Sequence, residues 1–115
     1  EFVALSPSAA RFPFETWILP KRHRSHFEAT TPEERIAFAR SLHSLLRKLH
    51  VGLCDPPFNL VLHNSPLHAG ELPHYHWHVE ILPRLSQPAG FEWGTDWSVN
   101  LVPPEQAAEY LRGIP

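Results

Sequence analysis

The sequence predicts an α+β fold: about five antiparallel strands covered by one long helix, with a short second helix at the C-terminal end. Three observations carry this expectation. One capped, amphipathic helical pattern stands between Thr31 and Gly52, and short β-branched and aromatic runs flank it on both sides. The thirteen prolines fall mostly at the ends of those runs, where they separate short elements by rigid turns. The 115 residues are enough for one core and too few for two, so residues 1–115 are expected to form a single domain.

Taken in order, Phe2 to Leu5 is a short apolar piece halted at Ser6-Pro7. It begins at once, as expected of a chain cut from a longer one. Glu15 to Leu19 reads as a strand ended by Pro20, and Lys21, Arg22, His23 and Arg24 form a basic cluster where it leaves the sheet. Thr31-Pro32-Glu33-Glu34 is a helix start, with a threonine N-cap, proline at the first helical position and glutamate three after the cap. Ile36, Ala39, Leu42, Leu45, Leu46 and Leu49 mark an inner face, and Gly52 supplies the stop. Phe58 to Leu62 reads as the next strand, turning out at His63-Asn64-Ser65-Pro66. A strand from Tyr75 to Leu82 is halted by Pro83; Phe91-Glu92-Trp93 between Gly90 and Gly94 reads as a loop or bulge, and Trp97 to Leu101 as a last strand. Pro103-Pro104-Glu105 opens the short final helix, which Gly113 ends. Short links between neighbouring strands favour antiparallel pairing.

Composition narrows the function. Hydrophobic residues at 43% and charged residues at 19% are ordinary for a globular chain. A formal charge of −2 offers no basic field for duplex nucleic acid, so no nucleic-acid partner is expected, although single nucleotides are compatible. No apolar run approaches the roughly 20 residues that span a bilayer, so no membrane partner is expected either. The lone Cys54 makes no internal disulfide and nothing resembles a secretory signal, so the expected location is cytoplasmic.

The nine histidines are the unusual feature, and three of them alternate in His74-Tyr75-His76-Trp77-His78. In an extended strand His74, His76 and His78 share one face while Tyr75, Trp77 and Val79 share the other. Two chemistries use that spacing, beside the plain reading of a histidine-rich exposed strand. In one, His76 attacks phosphorus as a nucleophile while His74 and His78 orient it and bind phosphate oxygens. In the other, His76 and His78 ligate a divalent metal, with His63 or a carboxylate completing the shell. Glu80 lies on the histidine face by parity, and Glu71 and Glu80 are candidates for a ligand or general acid beside a structural role. Lys21, Arg22 and His23 are candidates to neutralise a phosphate, or simply solvated charge. Trp17, Trp77 and Trp93 read as packing residues, His43 and His50 as surface of the helix, and Cys54 as inert.

The His-x-His-x-His pattern with apolar residues between, followed by Pro83-Arg84, resembles the signature of the histidine-triad superfamily. Much of the chain further resembles the C-terminal half of galactose-1-phosphate uridylyltransferases. The resembling segments are Phe12 to His23, His63-Asn64-Ser65-Pro66, Gly70 through Arg84, Gly90 to Thr95, and Asn100. That resemblance implies a histidine-triad-like sheet, a homodimer, and a nucleotidyltransferase of galactose and carbohydrate metabolism. Such an enzyme moves a nucleoside monophosphate between a nucleotide sugar and a sugar phosphate. It implies that this chain is the C-terminal half of a two-half transferase, since the His-Pro-His motif of the first half, which carries the nucleotide, is absent here. It further implies a zinc or iron site at His63, His76 and His78, no organic cofactor, substrate contacts at Phe91, Trp93 and Thr95, and a ribose or phosphate contact at Asn64, which otherwise reads as a turn-forming asparagine. Asp96 departs from the pattern, standing where glycine is more usual. A stand-alone histidine-triad nucleotide hydrolase with His76 as nucleophile, and a non-catalytic metal-binding structural domain, are the alternatives.

Overall fold

The computed structural model describes residues 1–115 as one antiparallel sheet of four strands, with helices packed on one face. The strands are β1 (Phe2–Leu5), β2 (Thr16–Pro20), β3 (Phe58–His63) and β4 (His78–Pro83), in the spatial order β1-β2-β4-β3. The register sets Ile18 opposite Val79, Trp17 opposite Glu80, and His63 opposite His78. Directly opposed residues share a face, so the sheet divides cleanly. Thr16, Ile18, Val79 and Ile81 point to the helices, while Trp17, His63, His78 and Glu80 lie together on the other face.

The long helix α1 (Pro32–Gly52) starts as its sequence dictates. The Thr31 hydroxyl accepts from the Glu34 N–H, and the Glu34 carboxylate accepts from the Thr31 N–H. Its buried residues are Leu45 and Leu49, which join Ile18, Trp77, Val79, Ile81 and Leu111 in the core, with Phe38 and Leu42 packed alongside. The expected inner face is corrected at one end: Ile36 is 54% exposed and Ala39 is also exposed. Phe38 fills that place, because its ring reaches the fully buried Trp77 at 5.7 Å, in an aromatic cluster with Phe2 and Phe27. α1 lies against β1. β3, at the far edge, is left uncovered, with Phe58, Leu60, Val61 and Leu62 each about 40% exposed.

Three further expectations are corrected. The sheet has four strands rather than about five, because Trp97 to Leu101 is not a strand: its backbone bonds to no neighbour in the sheet, and Trp97 and Leu101 are 73% and 85% exposed. Phe91-Glu92-Trp93 is neither loop nor bulge but part of a short helix, α2 (Gly90–Thr95). The Glu92 carboxylate accepts the Ala89 N–H at its start, and Asp96 ends it in the left-handed conformation that aspartate tolerates better than most residues. The strand expected from Tyr75 begins only at His78. β3 ends at His63 and the chain turns away at Asn64, so residues 74–77 have no strand to pair with. Tyr75 N–H bonds instead to the Leu72 carbonyl and Trp77 N–H to the Arg24 carbonyl. The final helix, α3 (Pro104–Gly113), packs on α1, where Tyr110 donates to the Gly52 carbonyl and Lys48 to the carbonyls of Leu111 and Ile114.

Candidate metal centre

The sheet face away from the helices carries a compact donor cluster. His63 ends β3, His78 opens β4 directly opposite, and Glu80 follows two residues later on the same face. One ligand atom from each lies within 4.8 Å of the others. The two imidazoles stack at 4.7 Å with an interplanar angle of 12°, and Trp17 from β2 stacks on the far side of His78 at 4.8 Å. The rings are held parallel on adjacent strands, so their positions are set by the sheet rather than by flexible loops.

The hydrogen-bond pattern leaves room for a cation. His78 Nδ1–H donates to the His76 carbonyl at 3.1 Å, while its Nε2 lies 3.7 Å from Glu80 Oε1 and makes no hydrogen bond. His63 Nε2 is buried and makes no hydrogen bond, although Glu80 Oε2 is 3.3 Å away. Glu80 is 5% exposed, and its one hydrogen bond comes from Arg11 Nη2, at 2.5 Å from Oε2. Two imidazole nitrogens and a carboxylate with an unpartnered nitrogen among them are a donor set that zinc accepts with an open fourth position. The residues therefore fit a divalent metal.

Arg11 is placed by the segment before β2. Phe14 takes a positive φ of 62°, an uncommon conformation for a bulky residue, and the turn it forms buries the Glu15 carboxylate. That carboxylate accepts from the Arg11 N–H (2.7 Å), the Phe12 N–H (3.3 Å) and Trp17 Nε1 (3.0 Å). One buried group thus ties Arg11 and Trp17 to the cluster.

The expected sharing of one pocket by three alternating histidines is corrected. His74 is exposed in the turn before β4, and His76 lies 5.2 Å from His23, ring to ring, with its Nε2–H donating to the Pro20 carbonyl at 2.8 Å. Only His78 enters the cluster, because the alternation of a strand applies only from the residue where the strand begins. Of the three expected ligands, His63 and His78 come together and His76 stays outside. Glu80 takes the third place, and its parity with His78 was the signal for it. Arg11 left no comparable signal, since its role depends on a contact between residues 69 positions apart in the chain.

The expected substrate residues are dispersed. Lys21 and Arg22 are exposed beyond β2, and His23 Nε2 meets the Leu72 carbonyl at 3.3 Å. Asn64 is occupied internally: its Oδ1 accepts from the Phe27 N–H, and its Nδ2 donates to Glu28 and to the Ser65 carbonyl. Phe91 and Trp93 stand 59% and 80% exposed on α2, and Thr95 Oγ1 donates to the Phe91 carbonyl within that helix. Around Asn64 a polar network closes the loop before β4. His26 contacts Glu28 through Nδ1 (3.0 Å) and the Gly70 carbonyl through Nε2 (3.2 Å), and Glu71 accepts from the Ser25 N–H (2.7 Å). The Gly70 carbonyl, with Glu28, raises His26 above the ordinary imidazole value. Backbone N–H donors lower Glu28 and Glu71, Glu28 through its own and Glu71 through that of Ser25.

No protein-family model matches the chain. In sequence it is 42% identical, over 98% of its length, to ADP-glucose phosphorylase of Arabidopsis thaliana. It is 37% identical, over 96%, to galactose-1-phosphate uridylyltransferase of Thermotoga maritima. The crystal structure of the Arabidopsis ADP-glucose phosphorylase with bound ADP-glucose matches 99% of the chain and 38% of that protein, with a TM-score of 0.94 and 41% identity. A zinc-bound histidine triad family protein of Mycobacterium smegmatis has the same fold, at a TM-score of 0.66 and 19% identity, over 98% of the chain and 76% of that protein. Over nearly its whole length the chain is thus similar to one part of ADP-glucose phosphorylase and of galactose-1-phosphate uridylyltransferase, in a histidine-triad-like fold. The chain spans about a third of the length of the curated relatives it matches.

Proposed function

We propose that this chain is a histidine-triad domain and one half of a two-half nucleotidyltransferase, the half that holds a divalent metal and the sugar-phosphate side of the site. The complete enzyme would pass a nucleoside monophosphate between a nucleotide sugar and a sugar phosphate, through a histidine of the other half. The observation that carries this reading is the likeness to ADP-glucose phosphorylase, which extends over 99% of the chain at 41% identity. ADP-glucose is therefore the first nucleotide sugar to test. The domain's own chemistry agrees: His63, His78 and Glu80 would hold zinc or iron, which as a bound cation fixes the strand ends and supplies positive charge near anionic groups. His76 has its Nε2–H committed to the Pro20 carbonyl, which favours a supporting part over that of nucleophile, and so favours the transferase over a stand-alone hydrolase. Lys21 and Arg22, exposed beyond β2, and Phe91 and Trp93, exposed on α2, are the residues proposed to meet the sugar phosphate. The proposed assembly is a homodimer in the cytoplasm.

The test pairs metal content with turnover. The isolated chain, loaded with zinc and desalted, retains it; His78→Ala and His63→Ala lose it by elemental analysis. In the complete protein that carries this chain, His78→Ala lowers turnover of ADP-glucose or another nucleotide sugar by about 10- to 100-fold, the cost expected of a weakened metal shell. A wild-type chain without metal would sink the metal assignment, and a complete protein inert toward every nucleotide sugar would sink the transferase reading.

A further inference from the structure

Glu80 is a buried carboxylate with one hydrogen-bond partner, Arg11, and the same oxygen faces the unpartnered His63 Nε2. Glu15, the other buried carboxylate nearby, has three donors without the guanidinium, and Arg11 Nη2 is 3.6 Å from its Oε1. The Arg11 side chain is half exposed, so it can swing to water, whereas Glu80 is held in the sheet. A divalent cation bound by His63, His78 and Glu80 would lie within a few ångströms of the guanidinium, and like charges that close repel strongly.

We infer that Arg11 is the internal counter-ion of the His63–His78–Glu80 cluster, a built-in competitor that a divalent metal displaces from Glu80 Oε2 on entry. This rests on the metal reading above. Two buried carboxylates and one guanidinium carry a net charge of −1, which makes the unloaded cluster tolerable in the sheet. Displacing Arg11 trades a monovalent partner for a divalent one bound also by two imidazoles. The metal affinity is thereby set below what the three ligands alone would give, and the site becomes reversible rather than permanently filled.

The experiment uses zinc and the full chain. Arg11→Met is expected to bind zinc at least about tenfold tighter than wild type in competition with a chromophoric chelator. It melts below wild type in EDTA, and zinc raises its Tm by more. Arg11→Lys, which keeps the charge, stays within a few-fold of wild type. Zinc binding by wild type that is unchanged or weaker in Arg11→Met overturns the competition while leaving the metal site standing; no zinc bound by either chain overturns both. In wild type alone, which avoids any folding defect of the variant, phenylglyoxal modification of Arg11 followed by peptide mass spectrometry is expected to run faster with zinc than with EDTA. Equal rates overturn the displacement.

Discussion

His26 shows how much one side chain can hold. Both of its ring nitrogens face acceptors, Glu28 Oε1 and the Gly70 carbonyl, so the doubly protonated imidazolium is the form that satisfies both. Its folded value is raised, so its contribution to stability is fully present below the unfolded imidazole value of about 6.5 and is lost as pH rises through the folded value. Glu28 and Glu71 are lowered in the fold, so their contributions are present above the ordinary carboxylate range and are lost as pH falls through the lowered values. Stability is expected to be highest between the ordinary carboxylate range and the unfolded imidazole value of about 6.5, and to decline as pH rises through the raised value of His26. Urea denaturation of wild type and His26→Gln at pH 5.5 and pH 8 checks this: the gap between the two proteins should be wider at pH 5.5. A gap independent of pH would mean that His26 is neutral in the fold.

At the scale of elements, the two ends of α1 do different work. The N-terminal end is self-sufficient, since Thr31 and Glu34 satisfy each other's backbone donors. Thr31→Ala is expected to cost about 1 kcal/mol, seen as a lower urea midpoint with unchanged slope. The C-terminal end depends on α3 instead: Lys48 and Tyr110 cross-link the two helices, and Gly52 packs tightly against Ile114, where an added Cβ would come within 3.0 Å of its side chain. β4 is the element on which the site depends, because it alone pairs with both β2 and β3. It places His78 and Glu80 between Trp17 and His63, and its opposite face carries Val79 and Ile81 into the core.

For the molecule as a whole, the notable feature is what stays uncovered. α1 shields the β1 side of the sheet, while β3 presents an unpaired edge bearing Phe58, Leu60, Val61 and Leu62, and the segment after β4 exposes Phe91, Trp93, Trp97 and Leu101. An apolar open edge is a template for pairing with another chain. The isolated 115-residue chain is therefore expected to self-associate at micromolar concentrations by sedimentation velocity. Leu60→Lys together with Leu62→Lys should shift it to monomer without loss of secondary structure. A wild-type chain that sediments as a monomer at all concentrations would remove the case for this edge as an interface.

Local patterns determined a good deal by themselves. The capping box of Thr31 and Glu34, the runs of β2 and β3 and the breaks at Pro20 and Pro83 are short-range signals. They identified the long helix, most of the strands and the α+β class, and the motif residues pointed to the uridylyltransferases that the chain is similar to. Where pairing decides, such signals stop: whether 74–77 is extended depends on β3 ending at His63, and whether 97–101 is a strand depends on a neighbour that is not there. The cluster itself is a product of register, which set His63 against His78 and Glu80 beside Trp17, and of a turn at Phe14 that brought Arg11 onto Glu80. Periodicity reports which face a residue occupies. Only the folded sheet determines which residue of a distant strand stands beside it.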